Sequence, residues 1–332
     1  MRPERTVDVL IVGAGPAGLA AAAGLAAAGV GRVEVLEREE RAGGVPRHCH
    51  HGGFGARTFA GLTGPGTSGP RYARARVDAA LRAGASVRTG VTATGWAGPL
   101  TLDTTSPRGL ERLTARAVVL ATGARERPRA ARLVPGSRAA GVYTTGELQQ
   151  AVHLYGQHIG TRAVVVGAEP VAYAALDTLR RAGVEVAAQV TAESRHRATP
   201  WRAAESRLRY GVPLLTGAAV TELVGRGRVS AVGVRHRTGL LAQLSCDTVV
   251  FTGDFVPDHE LARRGGVSLA PGTRGPAIDA DFRTDIPGVF AVGNVAHAVE
   301  PAGAVAAEGW RAAVSVRRYL LSGRWPSVVR GV

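Results

Sequence analysis

The 332-residue chain contains no lysine and a single asparagine, Asn294. All 41 basic side chains are therefore arginine, and against 26 acids they leave a formal net charge of +15. Such a charge raises a nucleic-acid or membrane-surface reading. The arginines, however, are scattered and not gathered in one stripe, and the lack of lysine and near-lack of asparagine are what GC-rich coding produces. Nucleic-acid binding is not expected, whereas docking of an acidic partner subunit is compatible with the charge. Cysteine is also scarce: Cys49 and Cys246 lie far apart and no CxxC occurs. That excludes a redox dithiol of this type and a disulfide scaffold, and it fits a reducing cytoplasm. The four-cysteine iron–sulfur pattern is absent too, so any cluster would lie elsewhere. Leu10–Val30 is uncharged and long enough to imitate a membrane span, but Pro16 and several glycines punctuate it just after a short β-like run. No transmembrane segment is expected.

What is abundant is glycine, alanine and aliphatic residues, the composition of closely packed helices on a sheet. The length suits about two domains. An internal repeat divides the chain accordingly. Val9–Glu37 matches Ala163–Gln189, with Gly13 against Gly167, Pro16 against Pro170, Gly18 against Ala172 and Gly29 against Gly183. Each copy reads as an apolar strand, a glycine turn, an alanine-rich helix and a second strand, which is the βαβ unit. The expected class is α/β with two Rossmann-like dinucleotide-binding domains, the second inserted into the first. Residues 1–145 and 253–332 would form one domain and 146–252 the insert. Further strands are expected at Ala117–Ala124, Cys246–Asp254 and Gly288–Asn294. Helices are expected at Gly15–Ala28, Pro70–Ala83, Thr145–Tyr155, Ala172–Ala182, Trp201–Tyr210 and Gly303–Leu321. The Gly-, His- and Pro-rich stretch Gly43–Gly69 reads as a long functional loop.

Gly13-x-Gly15-x-x-Gly18 follows an apolar strand and opens a helix. The first glycine makes the turn, the second admits a pyrophosphate, and the third lets helix and strand touch. The helix N-terminus then faces the anion. Glu37 lies 19 residues beyond Gly18, at the end of the second strand, where a carboxylate accepts ribose hydroxyls. The second copy departs twice from this pattern. Glu169 replaces Gly15, and a like charge beside a phosphate at ~4 Å costs about 4 kcal/mol at an effective dielectric near 20. The ribose acid is also missing, since Glu37 falls against Ala188, or Gln189 if the gap moves by one. A nearby arginine such as Arg195 could serve a 2′-phosphate, with no other feature to support it. The insert is expected to keep its fold without ordinary NAD(P)H binding.

"ATGA" at Ala121–Ala124 and "TDIPGVFAVGN" at Thr284–Asn294, spaced as they are from the first glycine turn, resemble the second and third signatures of the two-domain flavoproteins. That group includes thioredoxin reductase and the pyridine-nucleotide disulfide oxidoreductases, and the resemblance covers nearly the whole chain. It implies FAD at Gly13, Gly15, Pro16, Ala17 and Gly18, with Glu37 at the ribose and Arg38 and Val91 as further contacts. It puts the turn of Ala121, Thr122 and Gly123 near the cofactor. Gly293 and Asn294 would meet the ribityl chain, where the family carries an aspartate. The backbone of Gly303 and Ala304, at a helix N-terminus, would face the flavin pyrimidine edge and favour an anionic reduced flavin. Gly44, Pro46 and Arg47 would run along the cofactor toward the ring. The wording "GGVPRHCHHGGFG" at Gly43–Gly55, with "LTGP" and "FTGDFVPDHELA", is similar to a subgroup without redox cysteines. This subgroup includes flavoproteins encoded beside anaerobic glycerol-3-phosphate dehydrogenases, and subunits of hydrogen cyanide synthase, opine oxidase and hydroxyproline dehydrogenase.

Consecutive residues such as His48, Cys49, His50 and His51 cannot easily converge on one ion, and no second ligand cluster accompanies them, so no metal is expected. His48 could handle protons beside the flavin, or the histidines could simply hold the loop by hydrogen bonds to backbone. Cys49 is a candidate nucleophile. His297 and Glu300 could face the substrate side of the ring, or cap the following helix. Three activities stay open. The first is an FAD-dependent dehydrogenase or oxidase, working as one subunit of a larger enzyme and oxidising a small amino acid, amine or hydroxy acid. The second is an NAD(P)H-dependent flavin reductase. The third is a flavin-bearing or non-catalytic scaffold for a partner enzyme. In the first, reduced flavin passes electrons to a quinone, oxygen or a partner subunit, and an oligomer is expected.

Overall fold

The computed structural model describes residues 3–55, 58–59, 62–63, 66–194 and 211–326. The expected helix at Trp201–Tyr210, the candidate Arg195 and part of the "LTGP" stretch lie outside the described residues. Among the described residues the helices, numbered along the chain, are α1 (Pro16–Ala27), α2 (Gly69–Arg82), α3 (Thr145–His153), α4 (Pro170–Arg181), α5 (Glu260–Arg264) and α6 (Ala302–Ser322). The chain forms two compact units. One comprises Met1–Arg47, Gly52–Arg125 and Val256–Val332; the other comprises His48–His51 and Glu126–Phe255.

The first unit is built on a seven-stranded sheet. Its parallel part runs Ser86–Thr89, Val33–Glu37, Glu4–Val12, Gly109–Leu120, with Val289–Ala291 on the far side. Val9–Val12 and Ala117–Leu120 are apolar on both faces, as a sheet covered by helices requires, and Val9, Leu10 and Ile11 are fully buried. The strand Gly109–Leu120 pairs with Glu4–Val12 along one edge and serves two partners along the other. Its first half pairs antiparallel with Thr101–Ser106, and its last residues pair parallel with Val289–Ala291. Helix α1 has no polar face. Residues Ala17–Leu25 are all buried between the sheet and α6, and alanine and glycine make that approach possible. A Cβ on Gly309 of α6 would lie 2.1 Å from the carbonyl oxygen of Ala17, so glycine sets the distance between α1 and α6.

The second unit repeats the plan at smaller scale. Val142–Thr144, Thr248–Phe251, Arg162–Val166, Glu185–Val190 and Leu214–Leu215 form a parallel sheet with α3 and α4 packed on one side. An antiparallel three-stranded sheet, Ala218–Arg226, Arg228–His236 and Leu241–Ser245, packs on the other side. Neither this sheet nor the pair Thr92–Gly98 and Thr101–Ser106 is among the sequence expectations, because these strands mix polar and apolar residues and their pairing is set by contact rather than by hydrophobicity.

The repeat superimposes in hydrogen bonds as well as in sequence. Gly13 N donates to Leu36 O at 2.8 Å, and Gly167 N donates to Val190 O at 2.8 Å. Leu36 and Val190 are thus equivalent, and the residue matching Glu37 is Thr191, not Ala188 or Gln189. A bulge between Ala163 and Val164 shifts the strand pairing and obscures this register. The correction leaves the inference unchanged, because threonine carries no carboxylate.

Candidate functional site

The first glycine turn is shaped by contacts no side chain could share. Gly13 sits at φ +108, and a Cβ there would lie 2.3 Å from the Ala121 carbonyl oxygen. A Cβ on Gly18 would lie 2.0 Å from the oxygen of Gly13. Gly15 is different: a Cβ on it would meet nothing within 4 Å, so open space lies beside the N-terminus of α1. There Pro16 opens the helix with its ring, and the amides of Ala17 and Gly18 belong to the first turn, whose N–H groups lack intrahelical acceptors. The buried Glu37 carboxylate closes one side. Its Oε2 accepts from Ala14 N at 3.0 Å and its Oε1 from Glu39 N at 3.0 Å. Each carboxylate oxygen has a second lone pair, so hydroxyls can still be accepted. Open room at a helix N-terminus, with a buried acid at its edge, fits the diphosphate and ribose of FAD.

The other expected cofactor residues of this unit gather at the same turn. Gly43 N donates to Ala14 O at 2.9 Å, and a Cβ on Gly44 would lie 2.8 Å from Gly15 Cα. Pro46 is buried in the short turn Val45–His48, and Arg47 folds back to the Arg41 carbonyl. Val91 N donates to Glu37 O at 2.9 Å. Arg38 is exposed, with Asp258 at 3.5 Å. Thr122 donates to Asp258 O at 2.7 Å, and Gly123 O accepts from Asp258 N at 2.8 Å. A Cβ on Gly293 would lie 2.8 Å from Ala17 Cβ, which brings the third motif to α1.

Asn294 clasps one residue from both sides. Its Oδ1 accepts from Glu300 N at 2.8 Å and its Nδ2 donates to Glu300 O at 3.3 Å. An ionised aspartate offers only acceptors, so only the amide can make both of these bonds. The amide keeps spare donor and acceptor capacity. Glu300 itself points its side chain to solvent. Gly303 and Ala304 lie in the exposed first turn of α6, and the preceding Ala302 carbonyl accepts from Tyr72 Oη at 3.1 Å.

The candidate catalytic residues fall in different units. His297 belongs to the first, where its Nε2 lies 3.2 Å from Glu308 Oε1. The other oxygen of Glu308 accepts from Gly293 N at 3.1 Å. Sequence reasoning does not single out Glu308, although it is the only acid in α6, on a helix otherwise rich in alanine, valine and arginine. His48 and Cys49 belong to the second unit and are buried there. The Cys49 thiol donates to Gln149 Oε1 at 3.2 Å. Burial, together with the Glu126 carboxylate nearby, pushes this thiol up to about 12. That shift disfavours the thiolate, the nucleophilic form, at neutral pH. His50 stacks on His153, ring centroids 4.0 Å apart, and burial followed by the charge of His50 pulls His153 down to about 4. Among the described residues no group of histidines, cysteines or acids is arranged to hold a metal ion.

The second glycine turn is filled by the chain itself. Glu169 Oε2 accepts from Ala168 N at 2.9 Å, and its Oε1 is bonded by the Thr252 hydroxyl. Ala168 corresponds to Ala14, whose amide donates to Glu37 in the first copy. Glu169 therefore takes over the hydrogen bond that the missing ribose acid would have accepted. Arg132 anchors the opposite side by donating to Thr252 O at 3.1 Å and Gly253 O at 2.7 Å. Burial pulls its guanidinium down, and the carboxylates of Asp254, Glu126 and Glu169 hold it up. Glu126 occupies the start of α3, accepting from Gly146 N and Gly253 N at 2.9 Å each. Burial pushes its carboxyl up, against the pull of those two amides. A carboxylate thus stands at the start of α4, where the first turn has open space beside Gly15.

The family described as "Pyridine nucleotide-disulphide oxidoreductase" matches residues 7–314. The chain is 30% identical over 330 residues to an opine oxidase subunit of Agrobacterium tumefaciens (strain Ach5), covering 91% of this chain and 63% of that protein. It is 31% identical over 170 residues to a ferredoxin–NADP reductase of Ignicoccus hospitalis, covering 50% of this chain and 54% of that protein. The chain thus spans between about half and two thirds of the length of these curated relatives. Among solved structures, thioredoxin reductase of T. acidophilum superimposes with a TM-score of 0.79 at 24% identity, over 96% of this chain and 100% of that one, a likeness of fold. No helix among the described residues is long and apolar enough to cross a membrane.

Proposed function

For a chain that belongs to the pyridine nucleotide-disulphide oxidoreductase family, we propose an FAD-dependent oxidoreductase that takes electrons from a small amino acid, amine or hydroxy acid and not from NAD(P)H. The observation that carries this reading is the Glu169 carboxylate seated on its own glycine turn, bonded to Ala168 N and Thr252. With that turn filled, the electron source moves to a substrate at the flavin. Gly15, Ala17 and Gly18 would hold the FAD diphosphate and Glu37 its ribose. When bound, FAD supplies an acceptor for the hydride of a C–H bond next to nitrogen or oxygen. The chain's own part is to position and to manage a proton. We assign that proton to His297 Nε2, which Glu308 holds at 3.2 Å while fixing its own orientation on Gly293 N. The similarity to a component of opine oxidase supports a chain that works within a multi-component enzyme and hands its electrons to a partner, a quinone or oxygen.

A second reading, an NAD(P)H-driven reductase, is favoured by the similarity to a ferredoxin–NADP reductase. The two separate in one experiment. The FAD-loaded protein is mixed with NADH or NADPH without oxygen, and absorbance near the flavin maximum is followed. No bleaching within minutes is expected. Rapid bleaching by either nucleotide refutes the first reading and establishes the second.

A further inference from the structure

Helix α6 has two apolar sides, and its packing accounts for only one. Val305, Ala306, Gly309, Ala312, Ala313 and Val316 are buried toward the body of the first unit. On the outward side Gly303, Ala307, Trp310, Val314, Arg317 and Leu321 are exposed, and they follow one another at alternating spacings of four and three. That spacing is a heptad seam, the pattern by which one helix receives another. Trp310, one edge of whose ring lies against Gly24 of α1, remains 48% exposed, and Val314 and Leu321 remain 59% and 75% exposed. A solvent-facing helix side ordinarily carries polar residues there, and a line of large apolar groups marks an interaction surface.

Charge decides what covers it. The seam contains Arg317 and is flanked by Arg311 and Arg318, with Arg324 just beyond the helix. Arg311 also lies over the Phe282 ring and Arg318 reaches Asp281 at 3.5 Å, so both are held at the seam's border. The only acid of α6, Glu308, faces the other way, toward His297 and Gly293 N. A second copy of this helix would bring the same arginines to the seam with no acid of its own to pair them. The chain's net charge of +15 draws an oppositely charged partner from a distance. We propose that the outward face of α6 docks a different polypeptide, one that presents an amphipathic helix with an apolar seam bordered by glutamate or aspartate. This inference rests on the proposed function only in assuming a partner, and it holds whatever the electron source.

The test uses the full-length FAD-loaded protein and two labelled synthetic helices of about three heptads with leucine seams, one bordered by glutamate and its twin by lysine. Fluorescence anisotropy is expected to show the acidic helix binding at least about tenfold tighter than its twin, with affinity falling as salt rises. Val314→Glu and, separately, Leu321→Glu are expected to weaken the acidic helix about tenfold or more, with circular dichroism and flavin content unchanged. Equal binding of the twins, or binding of neither, overturns the proposal. So does self-association of the chain, seen by sedimentation, that Val314→Glu abolishes. None of these readouts involves nicotinamide, so the proposal and the electron-source reading fail independently.

Discussion

Replacing Glu169 by glycine restores the residue type that admits a pyrophosphate at the first turn, and the consequences can be worked out. The carboxylate presently meets Ala168 N at 2.9 Å and the Thr252 hydroxyl. A nucleotide phosphate entering this turn would approach it to ~4 Å, where two like charges cost about 4 kcal/mol at an effective dielectric near 20. Lifting that penalty corresponds to about a thousandfold in Kd. The gain has an offset, because Ala168 N and Thr252 lose their acceptor, at about 1–2 kcal/mol of folding stability. Glu169→Gln separates the terms, since it keeps an acceptor and removes the charge. Isothermal titration of NADPH into the FAD-loaded protein should find the native chain weaker than about millimolar and Glu169→Gly tighter by about a hundredfold or more. Glu169→Gln should fall between them. Adding Thr191→Glu, which returns an acid to the position equivalent to Glu37, should tighten NADH by about a further tenfold. If neither single substitution gains more than about threefold, and the double variant gains no more, the carboxylate is not the obstacle and the reasoning fails.

Other consequences are as direct. Gly18→Ala would place a Cβ 2.0 Å from the Gly13 oxygen, which is backbone and cannot step aside; a loss of about 2–4 kcal/mol in urea unfolding and loss of bound flavin are expected. Glu37→Ala removes the acceptor of both Ala14 N and Glu39 N; the purified protein should be largely colourless and less stable by about 1–3 kcal/mol, and an unchanged flavin content would count against the assigned ribose site. Cys49, with its thiol at about 12 against an ordinary value of 9.0, should be alkylated at pH 8 about a thousandfold more slowly in the native protein than in denaturant, the ratio of the two thiolate fractions. Rapid native labelling of Cys49, located by peptide mapping, would contradict its burial. His297→Gln should reduce substrate turnover while flavin content holds, because it removes the titratable group beside Glu308 and leaves the glycine turn intact.

The architecture is legible in the sequence where local chemistry leaves little choice. Gly13 and Gly18 stand where a side chain would strike backbone, and a strand such as Val9–Val12, apolar without interruption, has nowhere to go but between two helical layers. The expected limits of α1, α2 and α4 lie within two residues of the observed ones for the same reason, Pro and Gly marking their ends. The strands from Thr92 to Ser106 and from Ala218 to Ser245 carry no such mark, since strands of mixed polarity are defined by their partners. The register of the second copy is misread from residue types alone, because a bulge at Ala163/Val164 is a property of pairing.

What the sequence determined by itself is the pair of nucleotide-type folds, the absence of a redox dithiol and the substitution of Glu169 for a glycine. Each follows from residue identity at a fixed spacing, and local sterics and charge act at that range. What only the tertiary structure decided is where the carboxylates go. Thr252 comes 83 residues after Glu169, and Glu126 meets Gly253 across 127 residues. Glu308 finds Gly293 and His297 because α6 packs back over the motif that precedes it. Hydrogen bonds of a buried carboxylate are fixed by whichever donors the fold delivers, and a burial penalty must be met by some donor. The sequence could show that the second turn holds an acid; the fold showed that the acid replaces the missing ribose carboxylate as partner of the turn's own amide.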